Sequence, residues 1–255
     1  MIHRTFWVSV TTVAELLKDR TITGIFIVGI AMILGGYVVA EMAVVERLKM
    51  FMDTGIGAIY IVSVFITLMA GSNLLGREIR EKEILCTLSK PTPRSVWILG
   101  KTFGLLAAIA ILVFSLSTVL FFYMRFQMHV WRPDVFLAGV FIYLEIIILC
   151  NYVVLFSCIT TQYLSVFSGI LVLLAGGMVD NLKIYWDSAS PIARWVTRAL
   201  YYVLPNLEAY SPGPILSNAV SVPASLFFTM VISAAMYVAV AVTLSVVIIR
   251  NKEMV

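Results

Sequence analysis

The sequence predicts an all-α polytopic membrane protein with six transmembrane helices, a single transmembrane domain over residues 1–255. Hydrophobic residues make up 61% of the chain and charged residues only 13%, about half the charged share that is usual in a soluble domain. Uncharged runs of 20 residues or more recur along the chain. A helix of about 20 apolar residues is long enough to cross the ~30 Å hydrocarbon core of a bilayer.

The six spans follow from the places where charges and prolines interrupt the apolar sequence. Glu145 is the only formal charge between Asp134 and Asp180, so that run holds two spans, joined by a tight turn near Thr160. Early prolines leave room for one span in the last uncharged run, because proline interrupts helices. The predicted spans are residues 21–43, 55–76, 96–124, 135–159, 162–180 and 224–249.

Residues 3–20 have the periodicity of an amphipathic helix. The polar face carries Arg4, Thr11, Glu15 and Lys18. Such a helix can lie in the membrane interface; a soluble arm is the alternative. The apolar face consists of Phe6, Trp7, Val10, Val13, Ala14 and Leu17.

Basic residues are distributed unequally between the two sides of the predicted bundle. An even number of spans puts both termini on one side, together with residues 77–95, and that side holds 11 of the 18 basic residues. Lys and Arg concentrate in cytoplasmic loops. We therefore predict a multi-pass protein of the cytoplasmic (inner) membrane of a prokaryote, with both termini in the cytoplasm. The net charge of +4 is too small to suggest a nucleic-acid partner.

Residues 77–95 form a charged segment between two apolar runs. Opposite charges stand four residues apart in the pairs Arg77–Glu81 and Glu78–Lys82, a spacing that supports a helix. The apolar edge of this helix is Ile84, Leu85 and Leu88, and Pro91 and Pro93 end it. A solvated loop needs neither the apolar edge nor the proline stop. The pattern indicates a short cytoplasmic helix that docks another protein.

Residues 181–222 form the longest predicted segment on the outer side. They include the largely apolar stretch "ARWVTRALYYVLPNLEAY", whose charged residues are Arg194, Arg198 and Glu208, and several prolines precede the last span. We predict a short helix or a re-entrant helical pair here. Irregular backbone at membrane depth must be covered by protein or line a wet cavity.

The stretch "REIREKEILCTLSKPTPRSVWILGK" resembles the loop after the second span of type-2 exporter permeases of the ATP-binding-cassette (ABC) superfamily. Glu83 and Ile84 stand where members often have Gly-Thr. The resemblance extends to the N-terminal helix, the six spans, "LFSCITTQ" and "LPNLEAY", and its nearest pattern is the permeases associated with nitrous oxide reductase maturation. The matching loop residues are Glu78, Glu81, Leu88, Ser89, Pro91, Arg94, Gly100 and Lys101.

The resemblance implies a permease subunit that works as a dimer, with a second copy or a homologous permease and with two separate ATPase subunits. ATP and Mg²⁺ would bind to the ATPase, and this chain has no phosphate-binding GxxxxGK[ST] motif and no predicted cofactor. Besides membrane lipid, an accessory protein at the outer face is a further expected partner. The residues implied to dock the ATPase are Glu78, Glu81, Leu85, Leu88, Pro91 and Arg94.

Glu145 is the only ionisable residue well inside a predicted span. A charge there costs at least about 2.5 kcal/mol on insertion scales, so we expect it to face the bundle interior or a cavity. Asn151 is the polar residue nearest to it in the same span. Two interpretations remain open: a contact on the transport pathway, or a polar tie to a neighbouring helix.

Other functional classes are weaker alternatives. Met50, Met52, Met124, Met128 and His129 have ligand types that suit Cu(I), although Met also fills gaps in apolar cores. An intramembrane enzyme would need a catalytic set that the sequence does not contain. A non-transporting membrane anchor or scaffold is the stronger alternative, because it could use the same docking helix.

Gly100, Gly104 and Ala108 are spaced four residues apart in the third predicted span. Small residues at this spacing let two helices approach closely. The spacing predicts helix packing, and the partner helix can belong to the same chain or to a second copy.

Overall fold

The computed structural model of the chain describes residues 2–42, 46–80, 94–179, 201, 204–211 and 224–251. These residues form helices and contain no strand, which confirms the predicted all-α class. The helices are α1 (Ile2–Lys18), α2 (Arg20–Glu41), α3 (Arg47–Arg80), α4 (Arg94–Gln127), α5 (Asp134–Ile159), α6 (Gln162–Gly177) and α7 (Ala224–Asn251), with a 3₁₀ turn at Glu208–Tyr210.

Five of the described helices are long and apolar enough to cross a membrane: α2, α3, α4, α5 and α7. By contrast, α6 has 16 residues, and at a rise of ~1.5 Å per residue it is about 24 Å long. The fifth predicted span, residues 162–180, extends past the end of α6 to residue 180, which lies outside the described residues. The chain thus has the helices of a polytopic membrane protein, and the six-span layout stays a prediction.

The helix α3 begins earlier than the second predicted span, at Arg47 rather than at residue 55. The charge of Asp53 is what places the predicted start of the span after this residue. In the structure Asp53 is exposed on the side of α3, so the helix carries this carboxylate without burying it.

The helix α5 lies at the centre of the bundle and packs against α3, α4, α6 and α7. Apolar residues surround its whole circumference, which is the pattern of a helix buried on all sides. It runs parallel to α3, because Tyr60 contacts Glu145 and Ser72 contacts Ser157, each pair 85 positions apart. Most side chains on α5 are therefore placed against a neighbouring helix.

The helices α2 and α7 lie at the periphery of the bundle. Only 22% of the α2 span and 17% of the α7 span are buried, compared with 67% of α5. Their outward side chains are large and apolar, as at Ile27, Val38, Phe228 and Val240. Such surfaces suit lipid contact in a membrane protein.

The helix α1 packs along the beginning of α4. A Cβ atom at Gly100 would come within 2.7 Å of the Val8 side chain, and one at Gly104 within 2.7 Å of both the Ser9 carbonyl oxygen and Thr12. Since only glycine permits this approach, the small residues at 100 and 104 serve packing within the chain.

The packing face of α1 is not its most apolar face. Phe6, Trp7, Val10 and Leu17 are exposed, whereas Thr12 is buried against the bundle. The helix α1 ends at Lys18, before the predicted end at residue 20, because Asp19 adopts an extended backbone and accepts a hydrogen bond from the Thr21 amide at 2.7 Å. Asp19 is thus the N-cap of α2.

Candidate functional site

Glu145 lies at the middle of α5 and is 5% exposed. Its Oε1 accepts a hydrogen bond from the Tyr60 hydroxyl at 2.6 Å. The bond joins α3 to α5 and gives the buried carboxyl a specific partner. The expectation that Glu145 faces the bundle interior is therefore met.

The surroundings of Glu145 are otherwise apolar. Ile142, Ile146 and Leu149, which stand within four positions of it on α5, are fully buried, and Ile59 of α3 belongs to the same core. A short hydrogen bond between oxygen atoms is strong in such an environment, because little water competes for either partner. The Tyr60–Glu145 pair is a polar contact inside an apolar core.

Asn151 is 2% exposed. Its Nδ2 donates to the carbonyl oxygen of Ile147, one turn earlier on the same helix, at 2.8 Å. Its Oδ1 is buried and has no hydrogen-bond partner within the described part of the chain. Six residues on a helix correspond to a rotation of about 120°, so Glu145 and Asn151 lie on different sides of α5. The structure does not bring them into one site.

The residues implied to dock an ATPase fall mostly outside the described residues. Glu78 belongs to the last turn of α3, and Arg94 is the first residue of α4. Glu81, Leu85, Leu88 and Pro91 lie outside the described part. The structure thus defines the two helices on either side of residues 81–93, and the docking role stays a prediction.

Residues 204–211 approach the middle of the bundle. Leu207 and Tyr210 are buried together with Ile148 of α5 and Ala234 of α7. The Leu207 amide donates to the Gly176 carbonyl oxygen at 3.2 Å. Since Ile148 stands near the midpoint of α5, this non-helical backbone reaches the same depth as Glu145.

Tyrosines anchor residues 204–211 to α7. Tyr210 Oη lies 2.7 Å from Ser233 Oγ and donates to the Met230 carbonyl oxygen at 3.1 Å. Tyr237 Oη makes a longer and weaker contact with the Leu204 carbonyl oxygen, at 3.5 Å. Irregular backbone at depth requires such partners. Sequence analysis quoted this stretch but did not identify its tyrosine contacts.

The Met and His residues considered for copper differ in their exposure to solvent. Met52 and Met124 are 2% and 1% exposed and belong to the apolar core, where Met commonly fills gaps. Met50 and His129 are exposed. Within the described residues there is no group of three or more His, Cys, Asp or Glu side chains that could hold a metal ion.

A charged cavity at one end of the bundle was not predicted. Glu15, Asp19 and Lys101 line it, together with residues of α2 and α3. Lys101 is 8% exposed although it is charged, and its Nζ lies 5.4 Å from the centre of the Trp97 ring. The sequence signal was a lysine about two turns inside an apolar helix.

No protein-family model matches this chain, and no curated protein is similar enough to count as a match. The features from which a function can be inferred are therefore the charged segment between α3 and α4, the Tyr60–Glu145 pair and the arrangement of helices.

Proposed function

We propose that this chain is the permease subunit of an ABC transporter of the type-2 exporter class. It would move a substrate across the cytoplasmic membrane, driven by ATP hydrolysis on a separate subunit. The observation that carries the proposal is the charged segment between α3 and α4, with its paired charges, apolar edge and proline stop.

The lengths of the flanking helices support a docking role for this segment. Both α3 and α4 have 34 residues, and at ~1.5 Å per residue each is about 50 Å long. That exceeds a hydrocarbon core of ~30 Å by several turns. The uncharged stretch of α3 ends at Gly76, and the helix continues beyond it to Arg80. Such an extension would hold the segment clear of the lipid.

The packing of α1 supports transmission of a movement from the segment into the bundle. The segment leads directly into α4, and α1 contacts Gly100 and Gly104 in the first turns of that helix. A push on the beginning of α4 would therefore move α1, and through Asp19 the beginning of α2 as well. Rigid elements that move together are the physical means of such coupling.

The Tyr60–Glu145 pair is our candidate for a pathway or gating contact. A conformational cycle needs an element with two arrangements, and a single buried hydrogen bond between two helices can be made in one and broken in the other. We also propose that α6 completes six spans, that both termini are cytoplasmic, and that two permeases form the pathway. The peripheral, apolar α2 and α7 leave surface available for lipid and a second permease.

Association with an ATPase tests the proposal. The tagged chain is purified from its native host, and ABC-type ATPase chains that accompany it are identified by mass spectrometry. We expect Leu85→Asp combined with Leu88→Asp to abolish that association while the permease still inserts. The matched control is Met42→Asp, which places the same charge on an 81% exposed apolar residue at the end of α2. Undiminished ATPase binding by the double variant contradicts the docking role.

The scaffold alternative predicts a different result when the ATPase is present but inactive. A scaffold needs its partners to assemble but does not need ATP turnover. If disabling the ATP site of the partner leaves the biological activity of the complex intact, the chain acts as an anchor. A transporter loses its activity under the same change.

A further inference from the structure

A cavity of about 470 Å³ opens where α1, the beginnings of α2 and α4, and the end of the apolar part of α3 meet. This volume is in the range of about 300–1,000 Å³ that is typical of small-molecule sites. Its polar wall includes Glu15, Asp19, Asn73 and Lys101. Among the described residues, Glu145 does not line this cavity.

The charges in the cavity are ordered by depth. Lys101 is 8% exposed and lies at the buried end, whereas Glu15 and Asp19 are exposed at the mouth. Glu15 near the end of α1 and Asp19 at the start of α2 line the same cavity, so both carboxylates are available to one ligand. A ligand that fits this order has a negative group deep in the cavity and a positive group nearer to water.

Apolar surface adjoins the charged groups. Leu16, Ile22 and Leu74 line the cavity. Thr21 lies at the edge of the cavity, and Gly24 and Val28 follow it on the same side of α2. Both residues are exposed. No atom lies within 4 Å of the Cβ position at Gly24. An apolar track thus leads from the cavity along a peripheral helix.

We propose that this cavity binds the headgroup of a zwitterionic phospholipid that has a primary ammonium, with its phosphate on Lys101 and its ammonium between Glu15 and Asp19. In such a lipid the phosphate lies nearer to the acyl chains and the ammonium nearer to water, which matches the order of the side chains. An acyl chain would follow the track at Gly24 and Val28. Under the proposed topology the lipid belongs to the cytoplasmic leaflet.

Other headgroups fit this arrangement less well. The two carboxylates repel a headgroup whose net charge is negative, and a quaternary ammonium has no N–H group to donate to them. A free phosphate lacks both the ammonium and the chain. The recognition that we infer therefore needs the phosphate, the primary ammonium and the acyl chain in one molecule.

Lipid retention by the full-length protein tests this inference. The detergent-purified protein is titrated with phosphatidylethanolamine, phosphatidylcholine or phosphatidylglycerol of identical acyl chains, and bound lipid is counted by native mass spectrometry. We expect phosphatidylethanolamine to be retained preferentially. We expect Glu15→Gln and Asp19→Asn each to reduce that preference by roughly two- to fivefold, the size of a partly exposed ion pair. Equal retention of the three lipids overturns the proposal.

The variants are chosen to keep the fold. Asn caps a helix as well as Asp does, so Asp19→Asn removes the charge and keeps the start of α2. Lys101→Gln should weaken retention of both phosphatidylethanolamine and phosphatidylglycerol. Glu41→Gln, at the other end of α2, is the control and should leave the lipid preference unchanged. An unaltered preference in both Glu15→Gln and Asp19→Asn contradicts the site.

Soluble headgroup separates a lipid site from a site for a free metabolite. Glycerophosphoethanolamine and inorganic phosphate are added at millimolar concentration to protein that has retained phosphatidylethanolamine. We expect neither compound to displace the lipid, because neither offers an acyl chain to the apolar track. Displacement by either at that concentration overturns the assignment to a lipid.

Discussion

The Tyr60 hydroxyl of α3 and the Glu145 carboxylate of α5 lie 2.6 Å apart inside the bundle, although 85 positions separate them in the chain. Both helices run in the same direction, so a shift of one along the other would separate the pair. Neighbouring side chains of α5 are fully buried and apolar, so they offer the carboxyl no substitute partner. The hydrogen bond therefore reports the register of α3 against α5.

The first prediction concerns the stability of this contact. Tyr60→Phe removes the donor and should lower the free energy of unfolding by about 0.6–1.7 kcal/mol, the range for polar contacts between helices in lipid. A double-mutant cycle with Glu145→Leu should give a coupling energy of similar size. Both energies are obtained from the unfolding of the purified variants in mixed micelles. The control cycle combines Tyr143→Phe with Glu145→Leu. The Tyr143 hydroxyl donates to the Leu106 carbonyl oxygen and not to Glu145, so the effects of these two substitutions should be additive.

The second prediction separates a structural tie from a pathway contact. Glu145→Gln keeps an oxygen that can accept from Tyr60, so the complex should assemble normally. If the charge serves the pathway, as we propose, substrate-stimulated ATP turnover of the reconstituted complex should fall. Wild-type coupling in Glu145→Gln, together with weakened assembly in Glu145→Leu, would show that Glu145 is only a tie.

The position of Glu145 could be predicted from sequence, but its partner could not. A single carboxyl in an apolar run must face protein or a cavity, because exposure to lipid is too costly. Which residue meets it depends on the rotation and the register of a second helix. The chain has 11 tyrosines, and no local pattern distinguishes Tyr60 from the others.

For the N-terminal helix, too, the sequence predicts the element but not the residues that it contacts. The spacing of Phe6, Trp7 and Val10 predicts an apolar face, and the structure has a helix there with those side chains exposed. The sequence favours an interfacial helix over a soluble arm, and it leaves open whether Gly100 and Gly104 pack within the chain or against a second copy. The close approach of Ser9 and Thr12 to Gly104 depends on two helices meeting, which a helical pattern in either one does not encode.

The third prediction concerns this contact between α1 and α4. Gly104→Ala would place a Cβ atom 2.7 Å from the Ser9 carbonyl oxygen and from Thr12, so α1 must move away. We expect faster cleavage of residues 2–18 by added protease and a lower unfolding temperature. Gly57→Ala is the control, because no atom lies within 4 Å of its Cβ position and alanine favours a helix over glycine. Equal protease resistance in the two variants would argue against the packing.

The fourth prediction concerns topology. In a chain without its native cysteines, a cysteine at position 190 should react with an impermeant thiol reagent that is added outside intact cells. A cysteine at position 82 should react only after the membrane is permeabilised. The opposite pattern would invert the proposed orientation and put the docking segment on the wrong side for a cytoplasmic ATPase.

The last prediction concerns the anchoring of residues 204–211 at the depth of Ile148. Tyr210→Phe removes the bond to the Met230 carbonyl oxygen and the contact with Ser233, while Ser233 keeps its own bond to Met230 at 2.9 Å. The substitution therefore weakens the attachment of residues 204–211 and leaves α7 unchanged. We expect a cysteine at position 207, where Leu207 is 1% exposed, to react with a maleimide several times faster in this variant.

Tyr237→Phe is the matched control for the anchoring experiment. Its bond to the Leu204 carbonyl oxygen is 3.5 Å long, at the outer limit for a hydrogen bond, so its loss should change the labelling rate little. Both rates are measured on purified protein in the background without native cysteines. If Tyr210→Phe labels no faster than the control, the apolar contacts of Leu207 alone hold the segment, and the tyrosine is not its anchor.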